Sequence, residues 1–279
     1  MGATNSGGIY LSEASDCNIN WNSLTGKQYG IHLSNNKDNI LYQNTITSNQ
    51  HGIYLYNSTD NFLYQNNITS NLYGLYLHDS SADVHFNRIV GNSNYGLYSS
   101  GNGTVNATNN WWGSNNPIVS SNIGSDICIA GGNVIHDPWL VLNLTGSVIH
   151  VTHDNNSNSE ITADLTHNNH GGDTSSGALP DGIPINFITT LGTINNSATT
   201  RRGKAVATLT SGTNSSATTV SATLDNQTVS KAFHKSFSTI QAAANDPLTV
   251  NGDIILIENG TYVENIEVNK NLTIFLRVM

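Results

Sequence analysis

Apolar and polar residues alternate in short bursts from Ile9 onwards, and the bursts return at a fixed interval. From Gly30 the chain reads GIHLSNNKDNILYQNTITSNQH, then GIYLYNSTDNFLYQNNITSNLY, then GLYLHDSSADVHFNRIVGNSNY. Gly30, Gly52, Gly74 and Gly96 stand 22 residues apart, Gly8 keeps the same register, and Asn22, Asn44, Asn66 and Asn87 mark a second recurring position. The apolar members alternate within each unit: Ile31, Leu33, Leu41 and Ile46, then Ile53, Leu55, Leu63 and Ile68, then Leu75, Leu77, Val84 and Ile89. Alternation in pieces this short predicts strands, and a period in the twenties predicts a solenoid. The leucine-rich spacing and helical segment of the other solenoid of this length are missing. The expectation is a parallel β-helix, each coil holding about three short strands and lying about 4.8 Å from the next.

The two markers have physical roles in such a coil. An asparagine at the same corner of every turn can bond the turn backbone and its stacked neighbours. A glycine supplies a corner where a Cβ does not fit. The fourth coil drops one residue before Asn87 and regains it before Gly96, so the slack falls in turns and the strands keep register. The repeat degenerates into GNGTVNATNNWWGSNNP, where Trp111 and Trp112 are expected to cap the open end.

These patterns divide the chain into residues 1–117 as the β-helix with its tryptophan cap and 118–135 as a connecting segment. LVLNL, ITADLT, IPINFITT, GKAVATLT and TTVSATLD then alternate between Gly, Asn and Ser clusters, predicting an Ig-like β-sandwich over 136–232. Residues 233–279 hold a short amphipathic helix candidate from Ser238 to Ala244 and then renewed strands, as in the N-terminal cap and first coil of a second β-helix. The fold class is therefore all-β throughout.

Composition adds constraints on function. Only 10% of the 279 residues are charged and the net charge is −9, so no basic patch offers itself to nucleic acid. Cys17 and Cys128 are too few for a disulfide framework and lie several coils apart, which predicts two free thiols. Sequons occur at Asn57, Asn67, Asn102, Asn106, Asn143, Asn155, Asn195, Asn214, Asn226, Asn259 and Asn271, many of them expected by chance in so Asn-, Ser- and Thr-rich a chain. Neither a signal peptide nor a transmembrane run stands out. The chain opens in mid-coil and stops in mid-strand, as a piece of a longer secreted protein would.

The Gly-Ile-Tyr-Leu and Asn-x-Ile-x-x-Asn repeats, closed by Asn109-Asn110-Trp111-Trp112-Gly113-Ser114-Asn115, resemble the right-handed parallel β-helix repeats of large adhesin-like surface proteins of methanogenic archaea. Related repeats occur in periplasmic NosD-type proteins and in polysaccharide lyases, so the repeat alone assigns no activity. The run Leu179-Pro180-Asp181-Gly182-Ile183-Pro184 ahead of Phe187, with Leu191-Gly192-Thr193-Ile194 and Gly203-Lys204-Ala205, resembles the bacterial Ig-like domains of invasin- and intimin-type adhesins. These resemblances imply a non-catalytic, extracellular cell-surface segment with the Ig-like domain as spacer or tip. The implied partners are glycans or proteins of other cells or of the environment, with no cofactor, no nucleic acid and no membrane insertion in this segment. The alternative is a polysaccharide lyase or hydrolase of the pectate-lyase-like class.

Candidate sites follow from the register. Tyr10, His32, Tyr54, Tyr76 and Tyr98 fall between inward apolar pairs and should point outward; Tyr29, His51, Tyr73 and Tyr95 precede the glycines, and Tyr42 and Tyr64 form a shorter third file. Stacked rings suit sugar faces, although cross-strand stacking also stabilises a sheet without any ligand. Asp16, Asp38 and Asp60 recur at one corner, where solvated turn residues or a Ca²⁺ site would both be possible. The coil bases Lys27, Lys37 and Arg88 are not in register with a pair of acids. His150/His153 and His167/His170, with Asp154 and Asp173, could in principle ligate a transition metal, but no helix sets either pair on one face. A Ser-His-Asp order or phosphate loop is not legible.

Overall fold

A computed structural model describes residues 8–146, 148–151, 158–210, 218–233, 237–257 and 260–276. The repeat builds a parallel β-helix with three faces. The first face stacks strands Ile9–Ser12, Tyr29–Ser34, His51–Tyr56, Tyr73–His78, Tyr95–Ser100 and Ser125–Ile129. The second stacks Asn18–Asn20, Ile40–Tyr42, Asn61–Tyr64, Ala82–His85, Thr104–Asn106 and Asn133–Ile135, and the third Ser23–Thr25, Thr45–Thr47, Asn67–Thr69 and Arg88–Val90. Ile31, Ile53 and Leu75 pair in line, as do Leu33, Leu55 and Leu77. All six have no exposed surface, so each contributes about 1.5–3 kcal/mol of burial to the shared core.

The corners explain the polar half of the repeat. Asn44 Nδ2 donates to Asn66 Oδ1 at 3.0 Å, Asn66 Nδ2 to Asn87 Oδ1 at 2.9 Å, and Asn87 Nδ2 to Asn110 Oδ1 at 3.0 Å. The same oxygens accept from backbone N–H groups of the preceding coil. A second ladder joins Asn49, Asn71 and Asn92, and a third runs through Asn36, Ser58 and Ser80. Each ladder residue follows one in left-handed conformation: Gln43 and Gln65 before Asn44 and Asn66, Ser48 and Ser70 before Asn49 and Asn71. Gly52 is needed because a Cβ there would lie 2.5 Å from Gly74 O, the backbone of the next coil.

The residue missing from the fourth coil is lost at one corner. Asp16, Asp38 and Asp60 occupy left-handed positions before Cys17, Asn39 and Asn61, whereas Asn61 pairs with Ala82 only 21 positions on. The Asn39–Asn61 bond at 3.0 Å is therefore the last of that file.

Two domain boundaries move. Residues 118–135 are not a mere connection: Ser125–Ile129 and Asn133–Ile135 add a sixth strand to the first and second faces. An inserted loop hides this coil, because Leu97 pairs with Ile127, 30 positions on instead of 22. Val148–Val151, expected within 136–232, pairs in parallel with Ile254–Ile257, which pairs with Thr273–Leu276. An open edge of this three-stranded sheet would expose unpaired N–H and C=O groups, and Val148–Val151 covers that of Ile254–Ile257.

The remaining strands of that region form two antiparallel sheets. One holds Leu140–Thr145, Asn158–Asn168, Lys204–Thr210 and Thr193–Ile194, the other Ser197–Thr199, Pro184–Thr189, Thr218–Leu224 and Gln227–Phe233. Alternate residues of both, including Leu142, Leu165, Phe187 and Val220, share one core. The short helix begins at Ile240, two residues later than the sequence suggests, with Thr239 as N-cap and the Glu264 carboxylate accepting from Ile240 and Gln241 N–H.

Trp111 and Trp112 divide between these cores. Trp112 packs inside the β-helix and Trp111 inside the two-sheet core, both fully enclosed. The pair closes the third face while the other two faces run on, so the tryptophans join the domains and face no solvent. Asp225 completes the joint, accepting from Trp111 Nε1 at 2.7 Å, from Arg88 Nε at 3.0 Å and from the Arg88 guanidinium terminus.

Candidate functional site

The register places the aromatic files side by side on the first face. Tyr10, His32, Tyr54, Tyr76 and Tyr98 are consecutive partners, with ring centroids 4.8, 4.8, 5.1 and 4.8 Å apart. Tyr29, His51, Tyr73 and Tyr95 form the neighbouring file at 5.1, 5.0 and 6.0 Å. The files interlock: Tyr29 lies 4.8 Å from His32, Tyr73 5.2 Å from Tyr76, and Tyr95 5.4 Å from Tyr98.

Interlocking changes what each ring can offer. Tyr10 is open to solvent, but His32, Tyr54, Tyr76 and Tyr98 are half-buried by their neighbours, not fully exposed. Tyr95 is buried and donates to Ser121 O at 2.8 Å, so the inserted loop takes it out of any glycan surface. Cys128 continues the outward file beside Tyr98 and is a buried free thiol; Cys17 is also free. Burial pushes the His32 and His51 imidazoles below their ordinary range, and burial with neighbouring phenols pushes Tyr54 and Tyr98 up. These four rings are uncharged at neutral pH.

The third file is more open. Tyr42 and Tyr64 stack at 4.4 Å, and Trp21 meets Tyr42 edge-on at 6.1 Å while 72% exposed. Trp21 had no role in the sequence pattern; its signal was its place one residue before a ladder asparagine.

The acidic file and the histidine pairs take different forms. Lys37 Nζ sits 3.5 Å from Asp38 and 3.9 Å from Asp60, so a base does stand between two of the three carboxylates. His170 Nε2 meets Asp137 at 3.1 Å and His167 Nδ1 lies 3.9 Å from Asp164, which sends the two imidazoles to separate partners. Stacking also assembles a set invisible in linear order: His78 Nδ1 bonds Ser100 Oγ at 2.9 Å while its Nε2 lies 3.3 Å from Asp79. The side chains of His150 and His153 lie outside the described residues.

The fold so defined is all-β, a parallel β-helix joined to a two-sheet domain. Residues 3–140, just under half of the chain, match the family described as periplasmic copper-binding protein (NosD). Over 40 residues the chain is 52% identical to a protein of Methanothermus fervidus (strain ATCC 43054 / DSM 2088 / JCM 10308 / V24 S) named "Cell surface glycoprotein". That stretch covers 14% of this chain and 7% of the relative. No solved structure matches.

Copper, named in that family's description, needs imidazole, thiolate or thioether donors brought to one point. Among the described residues no three His, Cys, Asp or Glu side chains converge in that way. Cys17 and Cys128 lie near opposite ends of the stack, and His32 and His51 are each packed against Tyr29 and Tyr54. The described side chains do not fit a copper site.

Proposed function

We propose that this chain is a non-catalytic segment of a cell-surface, adhesin-like protein that attaches to glycans. The β-helix is the recognition surface, the two-sheet domain is an Ig-like spacer, and residues 233–279 begin a second β-helix. A periplasmic family description and a relative named as a cell surface glycoprotein support an extracytoplasmic setting. The observation that carries the reading is the ring face itself: tyrosines and neutral imidazoles, meeting their neighbours edge-on or tilted, give an amphipathic, uncharged surface that repeats with each coil. Sugar faces stack on such rings with small individual gains that add along a polymer. Tyr10, Tyr54, Tyr76 and Tyr98 with His32 are its outward members, flanked by Tyr29 and Tyr73.

The rival reading, a lyase or hydrolase, draws on Lys37 between Asp38 and Asp60. Incubation with acidic and neutral polysaccharides, with and without Ca²⁺, separates the two when retention and new chain ends are measured together. Retention without cleavage, reduced stepwise by Tyr54→Ala and Tyr76→Ala, is the expected outcome. Cleavage that disappears in Asp38→Asn or Asp60→Asn assigns the chain to the rival.

A further inference from the structure

One corner of the β-helix runs beneath a loop of the two-sheet domain. Trp21, Gln43, Gln65 and Phe86 occupy equivalent left-handed positions there, each just before a ladder asparagine. Phe86 is roofed by Gly177, which has no room for a side chain over that ring. Further along, Gln43 and Gln65 face Pro180 and Asp181 across a cleft of about 260 Å³. Trp21 also lines it, largely exposed and in a backbone conformation that large side chains rarely adopt.

The cleft is firmly built. Thr200 Oγ1 donates to Pro180 O at 2.9 Å, Gly182 N–H to Thr200 O at 2.8 Å, and Arg202 N–H to Asp181 Oδ1 at 2.6 Å. Opposite, Gln43 Nε2 donates to Gln65 Oε1 at 3.3 Å, while Gln43 Oε1 is enclosed and has no partner. A buried acceptor without a donor is costly, and a ligand hydroxyl satisfies it once the Gln43 amide turns toward the cleft. The lining carries amides, hydroxyls and the Asp181 carboxylate but no Lys or Arg. Arg88 reaches only as far as Asn67 Oδ1, at 2.8 Å, with its charge held by Asp225.

We propose that this cleft binds one neutral hexopyranose unit, stacked on the Trp21 indole with hydroxyls donating to Gln43 Oε1 and Asp181. It rests on the glycan-attachment reading and gives that reading a definite site and sugar class. An apolar ring face beside paired acceptors suits a polyhydroxylated ring. The carboxylate, with no Lys or Arg in the cleft lining to offset it, rejects uronic acids. The cleft is separate from the tyrosine files of the first face, so the two can be lost independently.

The test titrates the full chain with soluble neutral hexasaccharides of glucose, mannose and galactose, and with oligogalacturonate, reading acrylamide quenching of tryptophan. Trp111 and Trp112 are enclosed and Trp139 is half-buried, so quenching reports chiefly on Trp21. At least one neutral oligomer shields Trp21 saturably and binds about tenfold or more tighter than oligogalacturonate, the scale of one unfavourable charge contact. Trp21→Ala and Gln43→Leu each weaken that binding about tenfold with unchanged melting, and Asp181→Asn narrows the discrimination. Equal affinity for soluble oligomer and immobilised polymer supports the proposal with a chain end in the cleft; preference for the polymer supports it with an internal unit. Unchanged binding in Trp21→Ala, or preference for oligogalacturonate, overturns it. Binding lost in Tyr54→Ala/Tyr76→Ala but kept in Trp21→Ala overturns the cleft and leaves glycan attachment standing. No binding by the parent removes both.

Discussion

The β-helix and the two-sheet domain are both built of short strands, yet they are held by opposite means. In the β-helix nearly every residue meets its own equivalent one coil away, so identical side chains stack and a single favourable contact is repeated. In the two-sheet domain partners are unlike and distant, Asn158 opposite Thr210 and Asn186 opposite Thr223, and order comes from a shared apolar core. Repetition lets the β-helix bury amides, since each asparagine both donates to and accepts from its neighbours. Among its described residues the two-sheet domain shows no such ladder, and its core buries alternating Leu, Ile, Val, Ala and Phe.

The largest expected effect is on the stacked core. Leu55→Asp puts a lone carboxylate between packed coils and should cost on the order of 5 kcal/mol, abolishing the β-helix transition in a thermal melt. A melt like the parent's would show that Leu55 is not inside.

The joint comes next. Asp225→Ala removes the acceptor of Trp111 Nε1 and the counter-ion of the Arg88 guanidinium, which keeps its bond to Asn67 Oδ1. A cost of about 3 kcal/mol is expected, with one unfolding transition splitting into two as the domains uncouple. Calorimetry reads this directly.

A pH series sharpens the contrast. His32 and His51 have folded-state values lowered from 6.5 by burial, so the β-helix contribution is full above that pH and is lost as pH falls through the histidine range. Asp164 is also lowered, by a different cause. Burial raises it, but hydrogen bonds from Thr166 and the nearby Lys204 outweigh burial and leave it below 3.8. Its contribution is therefore kept until pH falls below about 4. Mild acid should weaken the β-helix before the two-sheet domain, as circular dichroism melts at pH 7, 5.5 and 4 would record.

The smallest contrast compares single polar bonds. Asn66→Ala removes a residue that donates to Leu41 O and Asn87 Oδ1 and accepts twice from Asn44, at an expected cost of about 1–3 kcal/mol. Thr223→Ala loses only an exposed bond to Thr228 and should change stability by less than about 0.5 kcal/mol. Equal costs would mean that the ladder adds nothing beyond ordinary surface bonding.

The same difference governs what the sequence discloses. A fixed repeat interval exposes the coils, the inward residues, the glycine corners and the ladder through Asn66, because each residue's partner can be counted off. The further ladders at Asn49 and Asn36 were equally countable from their spacing. The sixth coil was not, since the loop carrying Ser121 breaks the count before Cys128. Neither the Asp225 joint nor the Trp21 cleft could be read in advance: Asp225 meets Arg88 from 137 positions away, and Asp181 reaches the cleft from another domain. Outward rings were legible as a file, but their mutual burial depends on side-chain packing that no spacing records.

Hydrogen exchange of the intact chain, with and without a saturating neutral polysaccharide, tests most directly whether the β-helix is the recognition surface and the two-sheet domain a spacer. The account predicts added protection in the strands Tyr29–Ser34, His51–Tyr56 and Tyr73–His78 and around Trp21, with the strands Thr218–Leu224 and Gln227–Phe233 unchanged and the polymer uncut. Protection confined to those last two strands, or release of shortened chains during the experiment, would contradict it.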